Sequence, residues 1–167
     1  MTKKLFLIRH GKSDWADIQL SDFDRPLNAR GNKNAPEMAE RILKKELVPQ
    51  LIVSSPALRA LFTARHFAQV WGKSTGQIQL ELDIYEANAT ALLKVVNELS
   101  DKYDHVALFG HNPGLTDFAN YLSDANIYNV PTSGTVLMEF DVNKWSEISF
   151  HSGRLIEFDY PKSANED

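Results

Sequence analysis

The sequence predicts an α/β fold: a three-layer sandwich with a mostly parallel central sheet flanked by helices. Three observations predict it. Leu5-Phe6-Leu7-Ile8, Leu51-Ile52-Val53 and Val106-Ala107-Leu108-Phe109 are continuous apolar runs, the pattern of strands buried on both faces. The stretches between them repeat apolar residues at helical spacing. The chain has 167 residues, 43% hydrophobic and 24% charged, which suits one globular domain with a sizeable core.

In chain order, the first run ends at Arg9-His10-Gly11. Asp14 to Asn34 is polar and turn-rich, with a short helical turn around Asn28 to Gly31. Pro36 fits the first turn of a helix carrying Met38, Ile42, Leu43 and Leu47. Leu58, Leu61, Phe62, Ala68 and Trp71 mark a second helix. Leu92, Leu93, Val96 and Leu99 mark a third, with Asn88 as its N-cap, and Leu115, Phe118, Ala119 and Leu122 a fourth. Thr135 to Phe140, Ser146 to Phe150 and Leu155 to Phe158 read as strands, with a hairpin turn at Ser152-Gly153 between the last two. The reading is one domain over 1–161 and a polar, frayed tail over 162–167.

Composition narrows the function. The chain has no cysteine, which excludes disulfides, thiolate nucleophiles, Cys-based zinc sites and iron–sulfur clusters. A net charge of −4 argues against nucleic-acid binding driven by overall charge. No apolar run approaches the ~20 residues of a membrane span, and Lys3-Lys4 with the short run that follows does not make a signal peptide. The expectation is a soluble, cytoplasmic protein with no nucleic-acid or membrane partner.

Chemistry concentrates at the carboxyl ends of the three buried strands. They finish in Arg9-His10-Gly11, in Ser54-Ser55-Pro56 with Arg59 one turn on, and in Gly110-His111-Asn112-Pro113-Gly114. Ligands of open parallel sheets bind at that rim. A neutral imidazole is a nucleophile toward phosphorus, and arginine forks match phosphate oxygens. A helix starting near Pro56 would add its amino-terminal amides, and a protonated second histidine a further donor. The set supplies the positioning and charge stabilisation of phosphoryl transfer with no cofactor and no metal. Taken singly, each motif is more simply a capped turn or a structural strand end; their coincidence on three strands carries the reading. A zinc site from His10 and His111 is disfavoured by the neighbouring arginines. His66, His105 and His151 have no partner motif.

These residues resemble the histidine phosphatase superfamily, with its phosphoglycerate-mutase-like fold. Arg9-His10-Gly11-Lys12-Ser13, Asp22-Phe23-Asp24-Arg25-Pro26-Leu27 and Gly31 are similar to the small SixA-like phosphohistidine phosphatase branch, and the likeness runs from Lys3 to Tyr160. The resemblance implies that His10 is the nucleophile and that Arg9, Arg59 and His111 complete a catalytic phosphate pocket. It places Arg25 at the pocket mouth as a substrate-binding residue; a loop arginine paired with Asp22 or Asp24 is the equal alternative. Thr132-Ser133-Gly134 matches a family element that packs near the pocket. Glu86 falls near a position where many members carry a proton donor; otherwise it is a rim carboxylate. A phosphohistidine substrate has less need of that acid than an ester has, because its imidazole can leave already protonated. The loop after His10 reads as short and no lid insertion is present, so the site should be open and suited to a protein surface.

The expected function is therefore a metal-independent phosphohistidine protein phosphatase, acting through phospho-His10. The alternatives are a small-molecule phosphomonoesterase on the same fold, or a phosphoprotein-binding module with little catalysis. Expected partners are a phosphorylated protein or a small phosphate ester, and phosphate ion.

Overall fold

Six strands form one sheet in a computed structural model that describes residues 2–163. They are β1 (Lys3–Arg9), β2 (Leu51–Ser54), β3 (Gln79–Leu80), β4 (His105–Gly110), β5 (Thr135–Phe140) and β6 (Gly153–Asp159). The order is β3-β2-β4-β1-β5-β6. The first four in that order run parallel, and β5 and β6 are antiparallel additions at the far edge. This is the mostly parallel α/β sheet expected.

The continuous apolar runs are explained by two cores, one on each face. Along β1, Leu5 and Leu7 point to one side and Phe6 and Ile8 to the other, as strand pleating requires. The first pair packs with Leu92 and Val96 of α3 (Ala89–Asn97) and Leu115 and Phe118 of α4 (Gly114–Leu122). The second pair packs with Met38 and Ile42 of α1 (Ala29–Lys44) and Ala64 and Phe67 of α2 (Leu58–Val70). Each fully buried side chain of this kind contributes roughly 1.5–3 kcal/mol.

Three expectations change. The first helix begins at Ala29, because the Asn28 side chain caps it by accepting from the Gly31 amide at 2.9 Å. Pro36 therefore lies inside the helix rather than in its first turn. No strand forms over 146–150: Trp145–Glu147 is a 3₁₀ turn, and the Trp145 and Ile148 carbonyls accept from the Asn97 side chain instead of a ladder. The two-residue edge strand β3, exposed at both positions, was not anticipated; it lies in the alternation of Ile78, Leu80, Leu82 and Ile84 rather than in a continuous apolar run. Of the tail expected over 162–167, Lys162 and Ser163 close a 3₁₀ turn with Pro161, and residues 164–167 lie outside the described residues. Among the described residues no helix is long and apolar enough to cross a membrane.

Register sets the site. Arg9 is opposite Gly110, and Ser54 is opposite Phe109. The residues that follow these strand ends, His10, Ser55 and His111, therefore emerge on one rim.

Candidate active site

His10 sits at the centre of that rim, 8% exposed. Its Nδ1 lies 2.7 Å from the Gly11 carbonyl oxygen, which can only accept. Nδ1 therefore carries the proton, and Nε2 keeps its lone pair. Burial, together with His111, Arg59 and Arg9 nearby, pushes the ring down to about 3 against the opposing Gly11 hydrogen bond. His10 is thus neutral at physiological pH.

The chain around it is fixed from three sides. The Gly11 amide donates to Thr63 Oγ1 of α2 at 2.9 Å, and Thr63 Oγ1 donates to the Arg59 carbonyl at 2.7 Å. The Ser133 amide donates to the Arg9 and His10 carbonyls, with Ser133 itself at φ +60°. A Cβ on Gly11 would meet Gly31, Leu27 and Ser133 at 3.2 Å, so the chain is closely packed at this crossing. The Thr132-Ser133-Gly134 element thus clamps the backbone of the histidine loop.

His111, with ring centroid 5.2 Å from that of His10, takes its orientation from Ser55. Its Nε2 is 2.8 Å from Ser55 Oγ, which already accepts from the Ala57 amide. Ser55 Oγ can donate to Nε2 while it accepts from Ala57, an arrangement that would make His111 Nδ1, buried without a partner, the protonated nitrogen of the ring. Burial and then Arg59 push this ring down to about 4. A protonated second histidine was expected; this ring is neutral at physiological pH.

Three guanidiniums complete the cluster. Arg9 Nη1 donates to the Val130 carbonyl at 3.0 Å, on a loop that Asn112 Nδ2 also holds through Val130 O at 2.9 Å. Arg59 donates through Nη1 to Asp22 O at 2.6 Å and through Nη2 to Asp22 Oδ2 at 2.9 Å. Arg25 Nη2 donates to Asp22 Oδ1 at 2.7 Å, and its guanidinium stacks 3.6 Å from the Trp15 ring centroid. Burial first, then the proximity of Arg59, lowers the pKa of both Arg9 and Arg25. Arg9 Nε, Arg25 Nε and Nη1, and Arg59 Nε are buried without partners. Buried donors in this density fit an anion.

Arg25 is paired with Asp22, one of the two readings open for it. Asp22 was legible only as that partner, yet it joins Arg25, Arg59 and Tyr85, whose hydroxyl donates to Asp22 Oδ2 at 2.7 Å. Partial burial works against the charged form of Asp22, but hydrogen bonds from Tyr85 and Arg59 hold its carboxyl below the ordinary range. The loop after His10 is not short. Residues 10–28 make an excursion, closed at its base by the Ser13–Leu27 bridge, whose return limb brings in Asp22 and Arg25. The Phe23 carbonyl takes the Leu58 amide at 3.0 Å, so the start of α2 seats this loop.

A cleft of about 420 Å³ opens over Arg59 and His111, with Asp22, Tyr85, Glu86 and Asp117 in its walls. Glu86 is exposed at φ +57° on the segment before α3. That segment reaches the cleft because Gly114 has no side chain: a Cβ there would lie 1.9 Å from the Ala87 carbonyl oxygen. Among the described residues no group of three or more His, Asp or Glu side chains stands close enough to hold a metal ion.

Comparison with known proteins points one way. The sequence profile of the histidine phosphatase superfamily (branch 1) matches residues 5–119. An uncharacterized chloroplastic protein of Arabidopsis thaliana is 30% identical over 161 residues, covering 92% of this chain and 73% of the relative. The crystal structure assigned as the phosphohistidine phosphatase SixA of Agrobacterium tumefaciens superposes with a TM-score of 0.79 at 27% identity, covering 95% of this chain and 98% of that one. The protein histidine phosphatase SixA complexed with tungstate shares the fold, with a TM-score of 0.82 at 17% identity over 97% of this chain and 99% of that one.

Proposed function

This chain belongs to the histidine phosphatase superfamily and is a phosphatase, and from that premise we propose that it hydrolyses phosphohistidine in proteins, without a metal ion, through a phosphoryl group carried on His10. The observation that carries the proposal is the state of His10: neutral, held by Gly11 through Nδ1, with Nε2 free among Arg9 and Arg59.

In the first step the Nε2 lone pair forms a bond to phosphorus as the P–N bond to the substrate imidazole breaks. A substrate ring protonated on its other nitrogen leaves as a neutral imidazole, so no general acid is required. Arg9, Arg59 and the Nδ1–H of His111 stabilise the charge on the transferring oxygens. Arg25 binds substrate at the mouth. In the second step water attacks phosphorus, the P–Nε2 bond breaks, and phosphate departs with a proton released to solvent. His10 returns to its starting tautomer, because Gly11 holds the Nδ1 proton throughout.

A second reading, hydrolysis of a small phosphate ester with Glu86 as proton donor, is favoured by one observation: Glu86 lines the same cleft. An alkoxide leaving group needs that proton, whereas an imidazole does not.

The test compares wild type with His10→Ala in chelator, each given a histidine-phosphorylated carrier protein and an alkyl phosphate ester. Faster clearance of the phosphoprotein by wild type, and loss of at least ~10⁴-fold in His10→Ala with an unchanged far-UV spectrum, is expected. Preference for the ester, together with its loss in Glu86→Gln, would favour the second reading. Phosphate binding with neither substrate hydrolysed would leave only a binding module.

A further inference from the structure

The cleft has a cationic floor and an acidic mouth. On the floor, Arg59 and His111 are 6% and 9% exposed and keep unpartnered Nε and Nδ1 donors. In the walls, Glu86 and Asp117 are exposed and make no ion pair among the described residues. Asp83, three residues before Glu86, is also exposed, and the sequence from residue 74 to residue 93 contains no lysine or arginine. The excursion after His10, which supplies Asp22 to the opposite wall, also exposes Asp17 and Asp24. Arg25 is the one cation between residues 13 and 29, and it is buried against Asp22.

Apolar side chains are exposed on the same two chain segments, the excursion after His10 and the stretch leading to Glu86. Ile18 is 91% exposed, Trp15 70% and Leu82 66%. The two segments meet at the mouth through the Tyr85–Asp22 hydrogen bond and the Phe23–Tyr85 ring contact at 5.1 Å. An anionic small molecule would bring its remaining charges against Glu86 and Asp117. A cationic flank on either side of the phosphoryl group would be drawn to them.

We propose that the mouth is a docking surface for a segment of a phosphorylated protein that carries lysine or arginine, and an apolar side chain, next to the phosphorylated residue. The proposal rests on the phosphatase reading above and names the kind of carrier that reading requires. The floor takes the phosphoryl group, Glu86, Asp83 and Asp117 take the cationic flank, and Ile18 and Leu82 take the apolar neighbour.

The test is calorimetric titration of the full chain with two peptides of equal length bearing a stable phosphonate analogue of phosphohistidine. One is flanked by lysine and leucine, the other by glutamate and serine. Exposed charge pairs are individually weak and additive at best, so a preference of about tenfold for the lysine peptide at low salt, shrinking as salt rises, is expected. Asp83→Lys/Asp117→Lys should abolish the preference, and Asp17→Lys/Asp83→Lys, which leaves α4 untouched, should reduce it. Binding of inorganic phosphate should be unchanged or tighter in both. Ile18→Ser/Leu82→Ser should weaken the lysine peptide several-fold and leave phosphate binding as it was. Peptides that bind within twofold of each other, or a preference that survives charge reversal, would overturn the proposal. So would a free chain that dimerises through the mouth and separates on Asp83→Lys/Asp117→Lys. Turnover of phosphohistidine is read separately: a charge preference without turnover defeats the phosphatase reading alone, and turnover without the preference defeats docking alone.

Discussion

Both ends of the sheet bury cations, and they treat them oppositely. At the amino end Lys3 is 2% exposed. Its ammonium donates to Asp104 Oδ1 at 2.8 Å and to the Tyr103 carbonyl at 3.2 Å, with the Trp145 ring centroid 5.5 Å away. At the carboxyl end Arg9, Arg25 and Arg59 keep buried donors, and His111 a buried ring nitrogen, without partners. Cavity size does not separate the ends. A depression of about 340 Å³ near Gln50, Lys73 and Tyr103 compares with about 420 Å³ over Arg59 and His111. What separates them is unanswered hydrogen-bonding capacity. The amino end has one such atom, Nε2 of His105, a ring stacked on Phe6 and pushed down to about 4 by burial and Lys4. A lone neutral nitrogen is a packing compromise, whereas convergent guanidinium donors are a binding site.

Four changes would sharpen or break that contrast. Arg59→Ala should cost the largest amount, ~3–4 kcal/mol in kcat/KM by analogy with lost oxyanion donors, measured on the phosphoprotein substrate. Wild-type kcat/KM in this variant would remove Arg59 from the site.

Acid acts next. His10 has a folded pKa of about 3, below the unfolded value of ~6.5, so between those values the unfolded chain binds more protons. The stability that comes from the neutral ring is complete above that window and is lost as pH falls through it, by about 2 kcal/mol at pH 5. Denaturant melts of wild type and His10→Ala should show the larger acid loss in wild type; parallel curves would mean that His10 is not buried neutral.

Lys3→Met should then lower stability by about 1–2 kcal/mol, because Asp104 stays solvated at 50% exposure, and should leave kcat/KM untouched. A fall in activity would show that the two ends are not independent. Ser55→Ala should have the smallest effect, roughly tenfold in kcat/KM, by freeing the His111 tautomer. A change confined to stability would show that Ser55 only packs.

Legibility in the sequence followed burial. β1, β2 and β4 are buried on both faces, and their apolar runs announced them. β3 is exposed, and its trace, the alternation of Ile78, Leu80, Leu82 and Ile84, is weaker than a buried run and was not read as a strand. Ser146 to Phe150 alternates polar and apolar residues like a strand, but its backbone is satisfied by Asn97, a partner that periodicity cannot reveal. Among site residues, Arg9, His10, Arg59 and His111 each sit at or just past the end of a recognisable element, and the structure brings them together. Arg25 was legible through its Arg-Pro-Leu motif. The roles of Asp22, Tyr85 and Asn112 were not, because each acts through contacts distant in sequence. Two signals were available: Asp22 three residues before Arg25, and Tyr85 beside Glu86. The length of the excursion after His10 was misread because a polar loop gives no sign that it turns back onto the site.

The central claim is that His10 carries the phosphoryl group. The direct measurement is rapid quenching at neutral-to-alkaline pH after mixing the chain with a ³²P-histidine-phosphorylated carrier, followed by mass spectrometry of the peptide that contains His10. Phosphate on His10 Nε2, appearing before free phosphate and absent in His10→Ala, is the predicted result. Release of phosphate with no label ever on His10 would contradict the account.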